Sequence, residues 1–252
     1  MDGSIDGKSS MWFVKNETII NTRSFLLLIL FSTSLIALKT LKKVNIQDIR
    51  ISGSKLFSQN DLVKNSSLTF PIRLISINTY FLEKELKQNL SLKNVSVNRE
   101  LFPFGLKVKV NTRNPLAYGE KISNGKKTLG FIDKDGIFID RKNVDEKNLN
   151  KLKIQVFGWK EKFKKILSEI FIAQENNEFE VVKITFSPNG FLTVEEKDLK
   201  TIYLGFNEYL INHQLLIIKN LKNEIKKNNF SKKIDKIDLT DPNKPKIKVF
   251  KP

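Results

Sequence analysis

Cysteine is absent from the 252 residues, histidine occurs once (His213) and methionine twice. Without cysteine there is no disulfide framework, no thiol nucleophile and no cysteine-based zinc site. A single histidine also removes the paired-histidine metalloprotease site. No glycine-rich phosphate loop is present, since Gly53, Gly105, Gly119 and Gly125 stand alone. Acidic residues are scarce beside basic ones: 27 Asp and Glu against 44 Lys and Arg give a formal charge of +17. Such an excess suggests a polyanionic neighbour, whether nucleic acid, anionic lipid or an acidic polymer. What is present is apolar mass. Hydrophobic residues make up 40 % of the chain and Phe alone contributes 19, enough for a buried core rather than a disordered chain. The length leaves room for one large or two small domains at ~100–200 residues each.

One long apolar run stands out, residues 24–41, SFLLLILFSTSLIALKTL. Ser24–Leu38 holds no charge, Pro or Gly. With Lys39 snorkelling, the run spans roughly 27 Å as a helix, close to the lower limit for crossing a bilayer. Its rivals are a cleaved signal peptide and a buried soluble helix. Ala37-Leu38-Lys39 makes a poor small-x-small cleavage site. Phe25–Phe31 is apolar on every side, unlike the one-sided stripe of a globular helix. We therefore expect a membrane anchor at 24–41 behind a tail at 1–23. Lys8, Lys15 and Arg23 precede the run and Lys39, Lys42, Lys43 and Arg50 follow it, so flanking charge does not fix the orientation. The tail is neutral, and the whole positive excess lies behind it.

From Val44 the pattern turns soluble and mixed. Ile46, Ile49 and Ile51 predict a strand ending at Ser52-Gly53. Ser58-Gln-Asn-Asp61 predicts a capped short helix to about Asn65, ended by Thr69-Phe-Pro71. Asn78 caps a second helix with Phe81, Leu82, Leu86 and Leu90 along one stripe. Val95 and Val97, then Leu106, Val108 and Val110, alternate as two further strands around Leu101-Phe-Pro-Phe-Gly105. The expected order is β-α-α-β-β, two helices on one face of a small sheet.

The second half begins abruptly near Arg113–Ala117. Gly119–Leu129 reads as polar and turn-rich. Phe131–Gly136 and Ile137–Ile139 predict a hairpin over an Asp-Gly turn. Trp159, Phe163, Ile166, Leu167, Ile170 and Phe171 predict an amphipathic helix opening after Gly158. Val182/Ile184/Phe186, Leu192/Val194 and Ile202/Leu204 predict short strands turned at Ser187–Gly190 and Lys197-Asp198. A helix from Glu208 to about Lys227, capped by Asn207, would bury Ile211, Leu215, Ile218, Leu221 and Ile225. Ile234/Ile237/Leu239 and Ile247/Val249 close the chain as strands.

Candidate chemistry is thin. His213 sits mid-helix between Asn212 and Gln214 and reads as a surface histidine. Asp133 and Asp135 could pair as carboxylates or hold a cation, but Asp-Lys-Asp-Gly lacks the further ligands of a calcium loop. Asn65, Asn89, Asn94 and Asn229 fall in glycosylation sequons that a Lys-, Asn- and Ile-rich chain produces by chance. Lys160–Lys165 and Lys226-Lys227 fall on polar helix faces without interleaved aromatics, unlike a nucleic-acid stacking platform. No metal, cofactor or catalytic residue is expected.

Several short motifs in order resemble a known family. They are Ile49-Arg-Ile-Ser-Gly53, Leu56-Phe-Ser58, Asp61-Leu62, Val95-Ser-Val97, Arg99, Pro103 and Leu106-Lys-Val108. Arg113, Pro115 and Ala117, then Ile132-Asp133, Asp135 and Gly136, continue the series, and Leu204-Gly205 and Ile237-Asp-Leu239 end it. Together they resemble the cell-division protein family FtsQ (DivIB), with Thr112 where that family usually has Glu.

The resemblance implies an α+β protein: one transmembrane helix, a POTRA domain at 44–113 and a mixed or antiparallel β domain with two helices at 114–252. It implies a non-enzymatic, single-pass scaffold of the divisome in the inner (plasma) membrane, concentrated at the septum. The tail would be cytoplasmic and both domains periplasmic or exterior. Partners would be coiled-coil division proteins of the FtsB and FtsL type. It implies that the last strand, Lys246, Ile247, Lys248, Val249 and Phe250, with Asp238 and Leu239 beside it, is the partner edge. It also places a recruitment surface on the POTRA domain around Ile49, Ile51, Gly53, Phe57 and Asp61. Two other readings stand beside it: a POTRA-bearing secretion or outer-membrane assembly component, and a basic membrane-tethered nucleic-acid binder.

Overall fold

The computed structural model describes residues 24–35, 42–123, 125–145, 149, 151–176, 179–228 and 234–249. Residues 24–35 form helix α1, and its apolar side chains from Phe25 to Phe31 are exposed. Positions 36–41 of the expected anchor lie outside the described residues. Among the described residues no helix is long and apolar enough to cross a membrane.

The remainder divides into two compact units. Of the described residues, the first comprises those up to Gly53 with Ser58–Glu85 and Val95–Lys109; the second comprises Ser54–Phe57, Leu86–Asn94 and those from Val110 onward.

In the first unit, β1 (Lys43–Val44) pairs with β3 (Ile72–Arg73), a two-residue ladder too short to leave a periodic signal. Strand β2 (Ile49–Ser52) runs parallel to β5 (Phe104–Asn111), which also borders β4 (Asn94–Leu101). Ile46–Asp48, expected in the first strand, is instead a 3-10 turn closed by Asp48 accepting from Asn45 N at 2.8 Å. Helix α2 (Gln59–Lys64) opens on the expected capping box: Ser58 Oγ accepts from Asp61 N, and Asp61 accepts from Ser58 N at 2.8 Å. Gln59 ties α2 to β2 by donating to Ile49 O at 2.6 Å. Helix α3 (Thr79–Asn89) is capped by Asn78, whose Oδ1 accepts from Phe81 N. Glu83 then accepts from Val97 N at 2.7 Å, and Arg99 Nε donates to Ile77 O at 3.2 Å, so α3 is pinned to β4. Val44, Ile49, Leu62, Leu74, Ile77, Leu82, Val97, Leu106 and Val108 are buried.

The second unit holds a nine-stranded sheet in the order β14-β13-β12-β11-β10-β9-β6-β7-β8. Its strands are β6 (Pro115–Ser123), β7 (Lys126–Asp133), β8 (Phe138–Asp140), β9 (Ile154–Trp159), β10 (Val181–Phe186), β11 (Leu192–Glu196), β12 (Lys200–Gly205), β13 (Ile234–Asp238) and β14 (Lys246–Val249). Most neighbours are antiparallel. β6–β9, β9–β10 and β12–β13 are parallel, and parallel neighbours need a crossover. The chain between β6 and β9 carries β7 and β8; the other two crossovers carry helices α4 (Lys164–Glu175) and α5 (Ile211–Asn228). Ile166, Leu167, Ile170 and Phe171 of α4 and Ile211, Leu215, Ile218 and Ile225 of α5 share one buried cluster with Ile184, Val194, Ile202 and Ile237.

Two sequence expectations are corrected here. Gly119–Leu129, expected as a turn-rich stretch, lies within the long β6–β7 hairpin. Its glycines misled: a side chain on Gly130 would run into Phe138 and one on Gly119 into Ile132, so glycine is selected by crowding inside strands. The helix expected to open after Gly158 starts later, because Ile154–Trp159 is strand β9. Gly158 has φ +71° and sits against Phe186 O, which makes it a kink at the end of a strand rather than a helix start. Phe163 is buried and stacks on Phe186 with ring centroids 4.1 Å apart.

Candidate functional site

The carboxyl-terminal edge is built by its turn. At the end of β13, Asp238 Oδ1 accepts from Thr240 N at 3.0 Å and from Thr240 Oγ1 at 2.7 Å. These hydrogen bonds, with Lys246 and Lys236 nearby, hold the Asp238 carboxyl below its ordinary pKa. Asp241 repeats the device by accepting from Asn243 N. The chain therefore reverses and lays β14 antiparallel to β13, pairing Asp238 with Lys246, Ile237 with Ile247 and Lys236 with Lys248.

Among the described residues β14 is the last strand of the sheet, with a paired neighbour on one side only. Its outer row of backbone N–H and C=O groups faces away from β13. Alternation splits its side chains. Ile247 and Val249 register with buried Ile237 and Ile234, yet are 45 % and 52 % exposed. Lys246 and Lys248 take the opposite face with Asp238 and Lys236. Leu239 is fully buried and its N–H donates to Tyr203 O at 2.9 Å, so it supports the edge from within. Phe250 lies outside the described residues.

Of the five positions expected at a recruitment surface, Gly53 is exposed and Ile51 and Asp61 are half-buried. Ile49 and Phe57 are buried and can shape a surface only from beneath. Asp61 is engaged in the α2 capping box. Nearby, Arg50 donates to Glu100 at 2.6 Å and to Pro103 O at 2.8 Å, and this pairing lowers the Glu100 pKa.

Two motifs separated in sequence meet in the second unit. Arg113 Nη1 donates to Asp133 at 2.5 Å and to Asp135 at 3.1 Å. Asp133 Oδ1 also accepts from Asp135 N and Ile137 N, which closes the turn at Gly136. The two carboxylates thus hold an arginine and a turn. His213 is exposed on α5. Among the described residues no group of three or more His, Asp or Glu is placed to hold a metal ion.

Sequence reasoning missed two polar groups inside the helix layer. Gln214 is buried and donates to Leu204 O and Leu239 O, both at 2.7 Å, joining the ends of β12 and β13. Lys222 is buried against Glu196, with Asp198 at 3.4 Å. Both fall in the apolar stripe of α5, Gln214 three after Ile211 and Lys222 four after Ile218, and that position is the signal that could have found them.

Residues 44–113 match the family model described as POTRA domain, FtsQ-type. This stretch is similar to a POTRA domain of the FtsQ type. The cell division protein DivIB of Clostridium acetobutylicum is 29 % identical over 109 residues, covering 43 % of this chain and 42 % of that protein. The two findings support the FtsQ/DivIB family. The chain matches less than half the length of that relative. The POTRA domain and the sheet-rich unit behind it agree with the α+β class expected from sequence.

Proposed function

We propose that this chain is a single-pass scaffold of the bacterial divisome, with a POTRA domain at 44–113 and a β domain at 114–252. It binds coiled-coil division partners of the FtsB and FtsL type and links early and late division proteins to septal peptidoglycan synthesis. It does no chemistry of its own. The run at 24–41 anchors it in the inner (plasma) membrane, the tail is cytoplasmic, and both domains lie outside, concentrated at the septum. The exposed apolar side chains of α1 support the anchor. Gly53, Ile51 and Asp61 mark the side of the POTRA domain that recruits other division proteins.

The observation that carries the partner reading is the position of β14. It is a sheet edge with one free hydrogen-bonding side and two exposed apolar residues. A partner strand added there gains main-chain hydrogen bonds, while Ile247 and Val249 supply side-chain selectivity. Ile247→Lys or Val249→Asp abolishes co-purification of two short single-pass coiled-coil chains while the domain stays folded. Unchanged partner yield removes the assignment. In dividing cells a fluorescent fusion forms a midcell band, and a uniform membrane signal contradicts the septal reading. A reporter fused after Pro252 is active only outside the cytoplasm, which excludes a tethered nucleic-acid binder.

A further inference from the structure

Beyond α1, the large apolar side chains that stand exposed among the described residues of the first unit are Ile75, Tyr80, Phe81 and Phe102, each 50 % or more exposed. The fold gathers all four at one end. Arg73 pairs with Lys43 across the β1–β3 ladder, and the 3-10 turn Leu74–Ser76 follows directly. Arg99 Nε donates to Ile77 O at 3.2 Å, which sets that turn and the start of α3, with Tyr80 and Phe81, beside the end of β4. β4 runs into Phe102, and Phe104 just behind it lies under Lys42 Nζ, 5.3 Å from the ring centroid. A single exposed apolar residue is ordinary, but their gathering at one end of a unit marks a docking surface.

Chain length names the occupant. The apolar run read as the anchor ends at Leu41, and Lys43 is two residues on, at most about 7 Å away. The anchor thereby holds this end of the unit at the membrane surface. Charge fits the same neighbour. Lys42, Lys43 and Arg73 are exposed here, whereas the nearby carboxylates are engaged, Asp48 by Asn45 N and Glu100 by Arg50. Basic residues around exposed aromatic and aliphatic side chains are the composition of surfaces that bind anionic lipid. β2 and β5 run in parallel away from this end, Ile49 beside Leu106 and Ser52 beside Lys109, and carry Gly53 clear of it. We infer that this end of the first unit docks on anionic phospholipid, with Lys42, Lys43 and Arg73 at the headgroups and Ile75, Tyr80, Phe81 and Phe102 in the interface. Docking presents the Gly53 end away from the bilayer. The inference rests on the anchor reading of residues 24–41.

The absence of cysteine allows a single nitroxide label on the full chain, at Ser76→Cys beside Ile75 or at Lys109→Cys, which lies roughly 16 Å beyond Phe104 along β5. Both positions are exposed. The labelled chain is reconstituted in vesicles of phosphatidylcholine, alone or mixed with phosphatidylglycerol. Power saturation then compares collisions with oxygen, which concentrates in lipid, and with a nickel chelate, which stays in water. In mixed vesicles the oxygen-to-nickel ratio at position 76 exceeds that at 109 by at least about fivefold, and it falls in phosphatidylcholine alone. Each cation near an anionic surface changes the docked ratio about fivefold, so Lys42→Gln with Lys43→Gln and Arg73→Gln brings position 76 down to the level of 109. Ile75→Ser with Tyr80→Ser does the same without changing charge. The proposal is overturned if the two positions read alike in mixed vesicles, if position 76 reads alike in both lipids, as a patch reserved for a protein partner would, or if either variant leaves the ratio unchanged. The lipid comparison needs no change to the surface, so a misfolded variant does not shelter the idea. A chain that fails to float with the vesicles overturns the anchor reading and this inference together; one that floats without a difference between the positions overturns this inference alone.

Discussion

Replacing Lys222 by Met should be among the most damaging single changes in α5. The Lys222 side chain is 8 % exposed and that of Glu196 is fully buried. Glu196 also accepts from Asp198 N at 2.6 Å, Leu199 N at 2.7 Å and Glu180 N at 3.0 Å. The carboxylate thus gathers the β11–β12 turn, and Lys222 brings α5 to it. Removing the ammonium leaves a buried anion beside neutral dipoles, a change that typically costs 3–5 kcal/mol. The three remaining N–H donors still stabilise the charge, so Lys222→Met should cost about 3 kcal/mol. Glu196→Gln should cost less, because Asp198 remains at 3.4 Å to receive Lys222. The double substitution removes both charges and should cost less than the sum of the singles by at least about 1 kcal/mol. Urea unfolding of the full chain, followed by Trp159 fluorescence in a Trp12→Phe background, reads these values. A cost for Lys222→Met below about 1 kcal/mol, the range of surface pairs, would refute the reasoning, as would strict additivity.

Three further outcomes follow from local geometry. Ser58→Ala removes the acceptor for Asp61 N and should weaken α2 by about 1 kcal/mol, read as faster amide hydrogen exchange in Gln59–Lys64. Gly136→Ala should destabilise the second unit by more than about 1 kcal/mol, because φ is +73° and the new methyl meets the Lys164 carbonyl; the Trp159 assay applies, since Trp159 Nε1 donates to Gly136 O. The depressed Asp238 carboxyl makes the β13–β14 turn sensitive to acid: its contribution is complete above the ordinary value of 3.8 and is lost as pH falls through the lower folded value. Carboxyl ¹³C titration should place the Asp238 midpoint below 3.8, and Thr240→Val should raise it towards that value.

How far the sequence could be read depended on how one-sided each element is. Helix α5 was legible because Ile211, Leu215, Ile218 and Ile225 recur at helical spacing and all are buried. The turns at Ser187–Gly190 and Lys197-Asp198 were legible because Ser, Pro, Asn, Asp and Gly favour reversals for local reasons. The β6–β7 hairpin was not, since Tyr118, Ile122 and Leu129 on its open side are exposed and its buried side uses two glycines. β9 was hidden because Trp159 and Phe163 share a spacing that suits either a strand end or a helix start. The residues show the last strand as a strand, and only the family resemblance pointed to it as an edge, because neighbours in a sheet are set by crossovers such as those through α4 and α5.

The same strand carries both the features that would protect a free edge and those that would engage a partner, and alternation keeps them apart. Pro245 cannot donate a hydrogen bond, and Lys246 and Lys248 place charge on one face of β14, devices that discourage indiscriminate pairing. Ile247 and Val249 occupy the other face, in register with core residues Ile237 and Ile234, but beyond the cover that buries those two. A stray strand gains the backbone hydrogen bonds yet leaves these two side chains in water. A specific partner must add a strand and also bring apolar cover to the same face, while tolerating lysines opposite. Substitution therefore separates the two roles. Lys246→Ala with Lys248→Ala should leave partner yield nearly intact and raise self-association, seen by sedimentation velocity. Ile247→Lys should do the reverse, abolishing partner yield without promoting association. If the lysine pair were as necessary for partner yield as Ile247, charge rather than apolar cover would define the edge, and the division of labour argued from the register would fail.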